Sequence, residues 1–222
     1  DVTDYVHTGT NEILIRVDNT KKPVDRWYSG AGIYRTVKWI ETEKHHLDER
    51  KIRVSTAIDN NSGVITVNPG IQGSMRLSAE HDGNMYQTER KEEIITLRIP
   101  DAKFWSAEEP NLYHLKLELM DGERCADQIT MHVGIREFDF IPDRGMIVNH
   151  KPVVLKGVCV HQDIACRGIA ATKEMWRTRL MDLKELGCNG IRAAHHMYAE
   201  EFLDLCDELG FYVYEECFDK WT

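Results

Sequence analysis

Two different patterns of hydrophobic and polar positions divide the chain. Between residues 41 and 138, short runs alternate apolar with polar residues, which is typical of antiparallel strands that bury one face. Turn sequences rich in Asn, Asp and Gly separate these runs. Six or seven short strands at this spacing predict an immunoglobulin-like β-sandwich. The predicted strands are residues 53–58, 63–67, 74–79, 94–99, 112–119 and 129–138.

The last third of the chain has a different pattern. Continuous apolar runs at residues 153–160, 191–194 and 211–214 predict buried strands, and the intervening residues 172–187 and 200–209 have the periodicity of amphipathic helices. Continuous apolar strands separated by helices predict a parallel sheet covered by helices.

The helix ends support the predicted helices, and the loop after the first strand decides between two kinds of parallel-sheet fold. Thr172 is a suitable N-cap, and Gly187 and Gly210 stand where left-handed C-terminal caps are expected. A doubly wound fold would need a glycine-rich phosphate loop after the first strand, and residues 160–163 contain no glycine. We therefore predict the first strands and helices of a (β/α)8 barrel. A whole barrel takes about 250 residues, so the barrel is expected to be truncated here, with Thr222 just after its third strand.

The first forty residues predict the tail of another β-sandwich. Residues 11–19 and 37–40 have strand patterns, and an aromatic and glycine-rich loop at residues 27–35 lies between them. This loop is interpreted either as a structural loop packed between domains or as a wall of a ligand site. The predicted domains are residues 1–40, 41–138 and 139–222, giving a mainly β protein with an α/β part.

Composition excludes several classes of partner. The net charge of −9 argues against nucleic acid and against an anionic membrane surface, and no apolar run is long enough to span a membrane. None of the six cysteines forms a Cys-x-x-Cys pair, so zinc and redox motifs are unsupported. We interpret the cysteines as small buried hydrophobic residues in a reducing compartment and expect a cytoplasmic protein. The sequence begins without Met, so export is not excluded.

Polar side chains follow all three predicted parallel strands at the point where each strand ends. Because the carboxyl ends of parallel strands form the active-site rim of β/α proteins, these side chains predict one site. A structural ion pair for Arg192 and a buried, hydrogen-bonded imidazole for His195 remain as alternatives. The candidate binding residues are His161, Asp163, Arg192, His195, Glu216, Asp219 and Trp221.

Several stretches, in their order along the chain, resemble glycoside hydrolase family 2, which holds β-galactosidases, β-glucuronidases and β-mannosidases. The resemblance implies that residues 1–40 end a sugar-binding-type sandwich that precedes the immunoglobulin-like domain and the barrel. Two positions depart from the family pattern: Cys159-Val160 replace a usual Asn-Arg, and His196-Met197 replace a usual Asn-Pro or Tyr-Pro. The matching stretches are residues 16–19, 26–35, 105–106, 110–113, 134–136, 155–158, 161–163, 189–195 and 207–214.

The resemblance implies a retaining glycosidase, which uses two glutamates about 5 Å apart. In the family these glutamates lie beyond the third barrel strand, with the acid/base in an Asn-Glu pair. Asn11-Glu12 is the only such pair here, so no catalytic residue is assigned within the chain. The acid/base and the nucleophile are both expected beyond Thr222, and the 222 residues are predicted to be inactive by themselves.

By the same resemblance, the candidate residues have separate roles. Arg192 would hold the nucleophile carboxylate, and His195 would donate to a substrate oxygen. His161 and Asp163 would line the rim. Glu216 and Asp219 would bind sugar hydroxyls, and Trp221 would stack on the apolar face of the sugar.

The substrate and the partners are expectations of the same kind. Residues 215–221 favour a β-galactosidase, residues 198–201 are similar to β-glucuronidases, and a non-catalytic carbohydrate-binding or scaffold module is a further alternative. No cofactor is evident, although Mg²⁺ or Na⁺ is possible in a full-length protein. Three parallel strands leave a sheet edge uncovered, so a longer chain or another copy must protect it, and we expect a homo-oligomer.

Overall fold

The computed structural model describes residues 1–18, 20 and 32–217, and it contains the predicted β-sandwich. Seven strands form two antiparallel sheets, with strand order β1-β2-β5 in one and β4-β3-β6-β7 in the other. This architecture confirms the immunoglobulin-like prediction. The strands are β1 (Arg53–Asp59), β2 (Ser62–Asn68), β3 (Ser74–His81), β4 (Asn84–Arg90), β5 (Ile95–Ile99), β6 (Tyr113–Asp121) and β7 (Arg124–Val133).

The alternation of the sequence places the sandwich core. In β2 and β6 every second side chain points between the sheets, and Ile65, Leu115 and Leu117 are fully buried there. Leu77 from β3 and Ile99 from β5 meet them from the neighbouring strands. The inward side chains therefore form one continuous apolar core between the two sheets.

The sequence patterns missed β4 and misplaced β7. Strand β4 is mostly polar, and its two apolar residues, Met85 and Tyr86, are adjacent rather than alternating. Strand β7 begins at Arg124 and ends at Val133, whereas the pattern predicted residues 129–138. The chain leaves the sheet at Gly134, and this glycine packs directly against Trp105, where a Cβ atom would lie 2.7 Å from the Trp105 side chain.

A short antiparallel sheet joins the sandwich to the α/β part. It consists of β8 (Phe138–Ile141), β9 (Gly145–Val148) and β10 (Lys151–Pro152), in the order β10-β9-β8. Strands β9 and β10 form a hairpin directly before the parallel sheet. Its turn is tight, because Asn149 and His150 both have positive φ angles and close a two-residue loop.

The last third forms the predicted parallel sheet, in the order β11-β12-β13. The Thr172 hydroxyl caps the first helix by accepting a hydrogen bond from Met175 N, and Gly187 and Gly210 are left-handed as predicted. The elements are β11 (Gly157–Val160), α1 (Lys173–Glu185), β12 (Gly190–Ala193), α2 (Glu200–Leu209) and β13 (Tyr212–Glu215).

The first parallel strand is shorter than the apolar run that predicted it. Residues 153–156 precede β11, and the Val154 and Leu155 side chains are exposed. The Asn189 side chain explains the difference, since it accepts a hydrogen bond from Lys156 N and donates one to Val154 O. These bonds occupy backbone groups that a neighbouring strand would otherwise pair.

Helices α1 and α2 cover one face of the parallel sheet. Trp176 and Leu180 from α1 pack with Phe202 and Leu205 from α2 over the strands. On the opposite face the Tyr214 side chain is 68% exposed. One face of this sheet is therefore a closed core, and the other is open.

The sandwich packs against the amino end of the parallel sheet. Trp105 Nε1 donates to Asp207 O at 2.8 Å, and Arg136 Nη1 donates to Asp207 Oδ1 at 2.9 Å. Lys184 Nζ donates to Ala107 O and to Gly210 O, so it joins the two parts. These contacts lie at the end of the sheet opposite to the predicted site.

Two predicted strands near the start of the chain are not formed. Residues 11–18 and 37–40 have no regular structure, and a short 3₁₀ helix at Thr3–Tyr5 precedes them. A strand needs a partner for its backbone hydrogen bonds, and no segment among the described residues pairs with either stretch. Asn19 and residues 27–31 of the aromatic loop lie outside the described residues.

The interpretation of the cysteines as buried residues was mostly wrong. All six are unpaired thiols, but only Cys206 is buried and Cys188 is half-buried. Cys125 lies at the start of β7, Cys159 lies on the open face of the parallel sheet, and the other two exposed cysteines lie on loops. The exposed cysteines are Cys125, Cys159, Cys166 and Cys217. Among the residues described, no helix is long and apolar enough to cross a membrane.

Candidate active site

Glu216 is the centre of a polar cluster at the carboxyl edge of the parallel sheet. Arg192 Nε and Nη2 both donate to Glu216 Oε1, at 2.9 and 2.6 Å. The backbone N–H of His195 donates to the other carboxylate oxygen at 2.6 Å. The His195 N–H and the Arg192 guanidinium together lower the pKa of Glu216. The carboxylate is therefore ionised at neutral pH.

The strands set this geometry. Arg192 points to the open face of β12, and Glu216 follows β13, its neighbour in the sheet. Arg192 Nη1 also lies 3.5 Å from the Cys159 Sγ atom on β11. The hydrogen bonds to Cys159 and Glu216 raise the pKa of Arg192. The Arg192 guanidinium on β12 thus contacts side chains from both neighbouring strands, at the carboxyl edge of the sheet.

His195 occupies an unusual backbone conformation directly after β12. Its φ angle is +80°, a left-handed value that costs free energy for a residue with a side chain. This conformation turns the His195 N–H towards Glu216. The imidazole of His195 lies beside that of His161, with ring centroids 4.9 Å apart. Two imidazoles and one carboxylate therefore meet at the ends of three strands.

A small pocket opens beside these imidazoles. Asp163 is held there through its backbone: its N–H donates to His161 O at 2.6 Å, and its carbonyl accepts from Arg179 Nη1 at 3.1 Å. The Asp163 carboxylate is thus placed at the pocket by the loop after β11. The pocket is lined by His161, Gln162, Asp163, Ile169, Ala194, His195 and His196.

The structure brings together five of the seven residues that the sequence singled out. His161 and Asp163 line the pocket, and Arg192, His195 and Glu216 form the adjoining hydrogen-bonded cluster. The predicted roles of these five side chains remain predictions. Arg192 was predicted to hold a nucleophile carboxylate, and among the described residues the carboxylate that it binds is Glu216.

The remaining predictions concern the last five residues, which lie outside the described part of the chain. Asp219, Trp221 and Thr222 are among them, so the two predicted sugar contacts cannot be placed in the site. The expectation that the acid/base and the nucleophile lie beyond Thr222 is not tested by the structure and stays a prediction. Of the glutamates at the end of β13, Glu216 is bound by Arg192, and Glu215 accepts a hydrogen bond from Tyr198 N. We assign neither of them as acid/base or nucleophile.

Two residues at this edge were not among the candidate binding residues, although Arg35 ends the aromatic loop for which a ligand-site wall was one interpretation. The Tyr198 hydroxyl donates to Val160 O at the end of β11, and Tyr198 N donates to Glu215 Oε1 at 2.6 Å. Burial raises the pKa of Tyr198, so its hydroxyl remains a donor. Arg35 reaches the same edge and donates to Gln162 Oε1 at 3.1 Å. No periodic signal marks either residue, because the Tyr198 hydroxyl and the Arg35 guanidinium bind residues 38 and 127 positions away in sequence.

No three His, Cys, Asp or Glu side chains in the described part of the chain are arranged to hold a metal ion. The possibility of Mg²⁺ or Na⁺ in a full-length protein therefore stays a prediction. The groups that can act on a ligand at this edge are imidazole, carboxylate and guanidinium. Such groups exchange hydrogen bonds with hydroxyl-rich molecules.

The β-sandwich joined to the first units of a β/α barrel, with a polar cluster at the carboxyl ends of the strands, is the arrangement that the resemblance to glycoside hydrolase family 2 implies. Comparison with known families gives two adjoining matches. Residues 37–136 match the family described as "Glycosyl hydrolases family 2". Residues 140–220 match "Glycosyl hydrolases family 2, TIM barrel domain". The chain belongs to glycoside hydrolase family 2.

Individual relatives agree with the family but differ in activity. The chain is 34% identical to a putative β-glucuronidase from Formosa agariphila, with 100% of this chain and 22% of that protein covered. It is also 34% identical to a β-galactosidase from Bacteroides ovatus, with 100% of this chain and 28% of that protein covered. The chain therefore spans about a quarter of the length of these relatives.

Solved structures confirm the fold. A β-glycosidase from Bacteroides vulgatus superposes with a TM-score of 0.82 at 28% identity, covering 92% of this chain and 28% of that chain. A β-D-glucuronidase from Dictyoglomus thermophilum superposes with a TM-score of 0.71 at 27% identity, covering 78% of this chain and 30% of that chain. The sandwich and the parallel sheet thus have the arrangement found in these glycosidases.

Proposed function

We propose that the protein carrying this chain is a retaining β-glycosidase that removes terminal β-linked sugars, with β-galactosides as its substrates. The observation that carries the proposal is the cluster of Arg192, His195 and Glu216 beside His161. Such a cluster presents charged and imidazole groups at the strand ends, where β/α barrels bind their substrates. A β-galactosidase among the relatives supports the choice of sugar.

In this proposal the described residues bind the sugar and do not cleave it. Glu216 stays ionised and keeps lone pairs that can accept hydrogen bonds from sugar hydroxyls. His161 and His195 offer imidazole N–H groups to sugar oxygens, and Asp163 offers a carboxylate at the other side of the pocket. A retaining mechanism needs two glutamates about 5 Å apart, one as acid/base and one as nucleophile. We propose that both lie beyond Thr222 in the protein that carries this chain.

The test is hydrolysis of a panel of nitrophenyl β-glycosides by the protein that carries this chain. We expect the β-galactoside to be cleaved fastest, with retention of the anomeric configuration in the first product seen by NMR. A polypeptide limited to residues 1–222 should cleave none of them. Inversion of configuration, or turnover by the 222 residues, would contradict the proposal.

A β-glucuronidase is the second candidate. Its support is the putative β-glucuronidase at 34% identity, together with three imidazoles at the pocket, those of His161, His195 and His196. Protonated imidazoles can bind a uronate carboxylate. The same panel separates the two candidates. A β-glucuronidase would have the higher kcat/KM for the glucuronide, and a β-galactosidase would have the higher kcat/KM for the galactoside. Sugar binding without hydrolysis of any glycoside would favour a non-catalytic carbohydrate-binding module.

A further inference from the structure

Residues 35–38, here called the strap, lie across the second helix and the rim of the candidate site. Thr36 Oγ1 donates to Glu201 Oε1 at 2.6 Å, and Lys38 Nζ pairs with Glu200 Oε2 at 2.8 Å. Both glutamates belong to the first turn of α2. The strap comes from more than 160 residues earlier in the chain, and these two contacts fix it beside the site.

The Arg35 side chain extends from the strap to the rim of the candidate site. Its Nη2 atom donates to Gln162 Oε1 at 3.1 Å and also to Met197 O. Gln162 belongs to the loop after β11, and Met197 belongs to the loop after β12. A single guanidinium nitrogen therefore joins the two loops that carry the pocket side chains.

The position of these loops determines the geometry of the pocket. The pairing of β11 with β12 ends at Val160 and Ala193, one residue before His161 and two residues before His195. Gln162 is only 6% exposed and lies between His161 and Asp163 in sequence. The bond from Arg35 to Gln162 therefore holds the residue that lies between two pocket residues of the same loop.

We propose that Arg35 is a positioning residue of the sugar site. It fixes the loop after β11 against the loop after β12 and so sets the spacing of the His161 and His195 imidazoles. Arg35 acts through Gln162 and Met197 and does not touch the substrate. This proposal rests on the proposed glycosidase function of the same site.

The strap provides its own control. Arg35→Ala removes the bridge between the loops, whereas Lys38→Ala removes a strap contact that goes only to α2. In the protein that carries this chain, we expect kcat/KM for the preferred glycoside to fall about 10- to 100-fold in Arg35→Ala, since small misplacements of binding groups cost this much. Lys38→Ala should keep kcat/KM within about twofold of the wild type, as surface ion pairs contribute little.

Chemical rescue separates positioning from a general loss of structure. Guanidinium chloride at tens of millimolar should restore part of the activity of Arg35→Ala, whereas equal concentrations of sodium chloride should not. Arg35→Lys should retain intermediate activity, because an ammonium group keeps the charge and the donors, whereas the shorter side chain does not bring its nitrogen to the position of Nη2 between the two acceptors. Equal kcat/KM values for Arg35→Ala and Lys38→Ala would overturn the proposal.

A second measurement keeps the inference independent of the proposed function. The imidazole rings of His161 and His195 are close enough for a nuclear Overhauser effect between their ring protons. This effect should be lost or weakened in Arg35→Ala and kept in Lys38→Ala. If the wild type cleaves no glycoside, the proposed function fails. An unchanged ring-to-ring effect in Arg35→Ala would instead show that Arg35 does not position the rim.

Discussion

The sandwich and the parallel sheet differ in how far their side chains are buried. The sandwich closes two sheets around a core in which Ile65, Leu77 and Leu117 are fully buried. The parallel sheet has strands of four residues, and its face opposite the helices leaves Tyr214 and Cys159 exposed. The closed region contributes stability, whereas the open edge presents Arg192 and the groups around it. Among the described residues, the candidate chemistry lies at the strand ends, outside the two packed cores.

The largest expected effect comes from the sandwich core. Leu77→Ala should lower the free energy of unfolding by about 2–5 kcal/mol, because it removes buried methyl groups and leaves a cavity. Leu186→Ala is the matched control, since Leu186 is exposed at the end of α1, and it should cost less than about 0.5 kcal/mol. Urea denaturation measures both. Equal costs for the two variants would contradict the view that the sandwich core dominates stability.

The contact between the two regions depends on a glycine. At Gly210 the φ angle is +76°, and a Cβ atom would overlap the Ala107 carbonyl oxygen. Gly210→Ala should therefore destabilise the protein by about 2–4 kcal/mol, from backbone strain and overpacking together. Gly122→Ala has the same strain but open space around it, and it should cost about 1 kcal/mol. The difference between the two, measured by thermal unfolding, reports the close approach of the sandwich to α2. A cost no larger than that of Gly122→Ala would show that the two regions separate easily.

A smaller effect is expected at the ion pair across the same contact. Arg136→Met breaks the bond to Asp207 and removes a guanidinium that lies 4.1 Å from the Trp105 ring centroid. We expect a loss of about 1 kcal/mol, because both the charge pair and the cation–π contact are partly shielded from water. Arg98→Met breaks an exposed pair with Asp59 within the sandwich and should cost less than about 0.5 kcal/mol. Equal losses of stability for Arg136→Met and Arg98→Met would mean that the Arg136–Asp207 pair gains nothing from its position between the two regions.

The smallest effect concerns the open edge and appears as a pH dependence. The folded state lowers the pKa of Glu216 below its ordinary value of 4.5, so the ionised carboxylate stabilises the fold above that pH. This contribution is lost as the pH falls below 4.5 through the folded-state pKa. Glu216→Gln should therefore show a shallower loss of stability in acid than the wild type, measured by urea denaturation at several pH values.

Arg192 offers the matched test of the cause. Arg192→Met removes one of the two partners that lower the pKa of Glu216 and leaves the His195 N–H in place. Its acid dependence should lie between those of the wild type and Glu216→Gln. Identical pH profiles for the wild type and Glu216→Gln would show that the cluster does not stabilise the ionised carboxylate, so that folding does not lower the pKa of Glu216.

Prediction from sequence worked where local patterns and packing agree. Thr172, Gly187 and Gly210 marked the helix ends because caps act within a few residues. The polar strand β4 was missed, and the strands predicted at residues 11–19 and 37–40 are not formed in their described parts, because strand formation depends on a partner that is often distant in sequence. For the site, strand-end polarity found His161, Arg192 and Glu216 but gave no sign of Arg35.

The sequence by itself determined the order of elements, the buried face of the sandwich strands and the sheet edge that carries the polar groups. Only the tertiary structure decided that Arg192 binds Glu216, that His195 adopts a left-handed backbone, and that Arg35 joins two loops of the rim. The physical reason is the distance along the sequence over which each effect acts. Periodicity and capping act over one turn or one strand, whereas these contacts join groups from separate elements whose distance is fixed by packing.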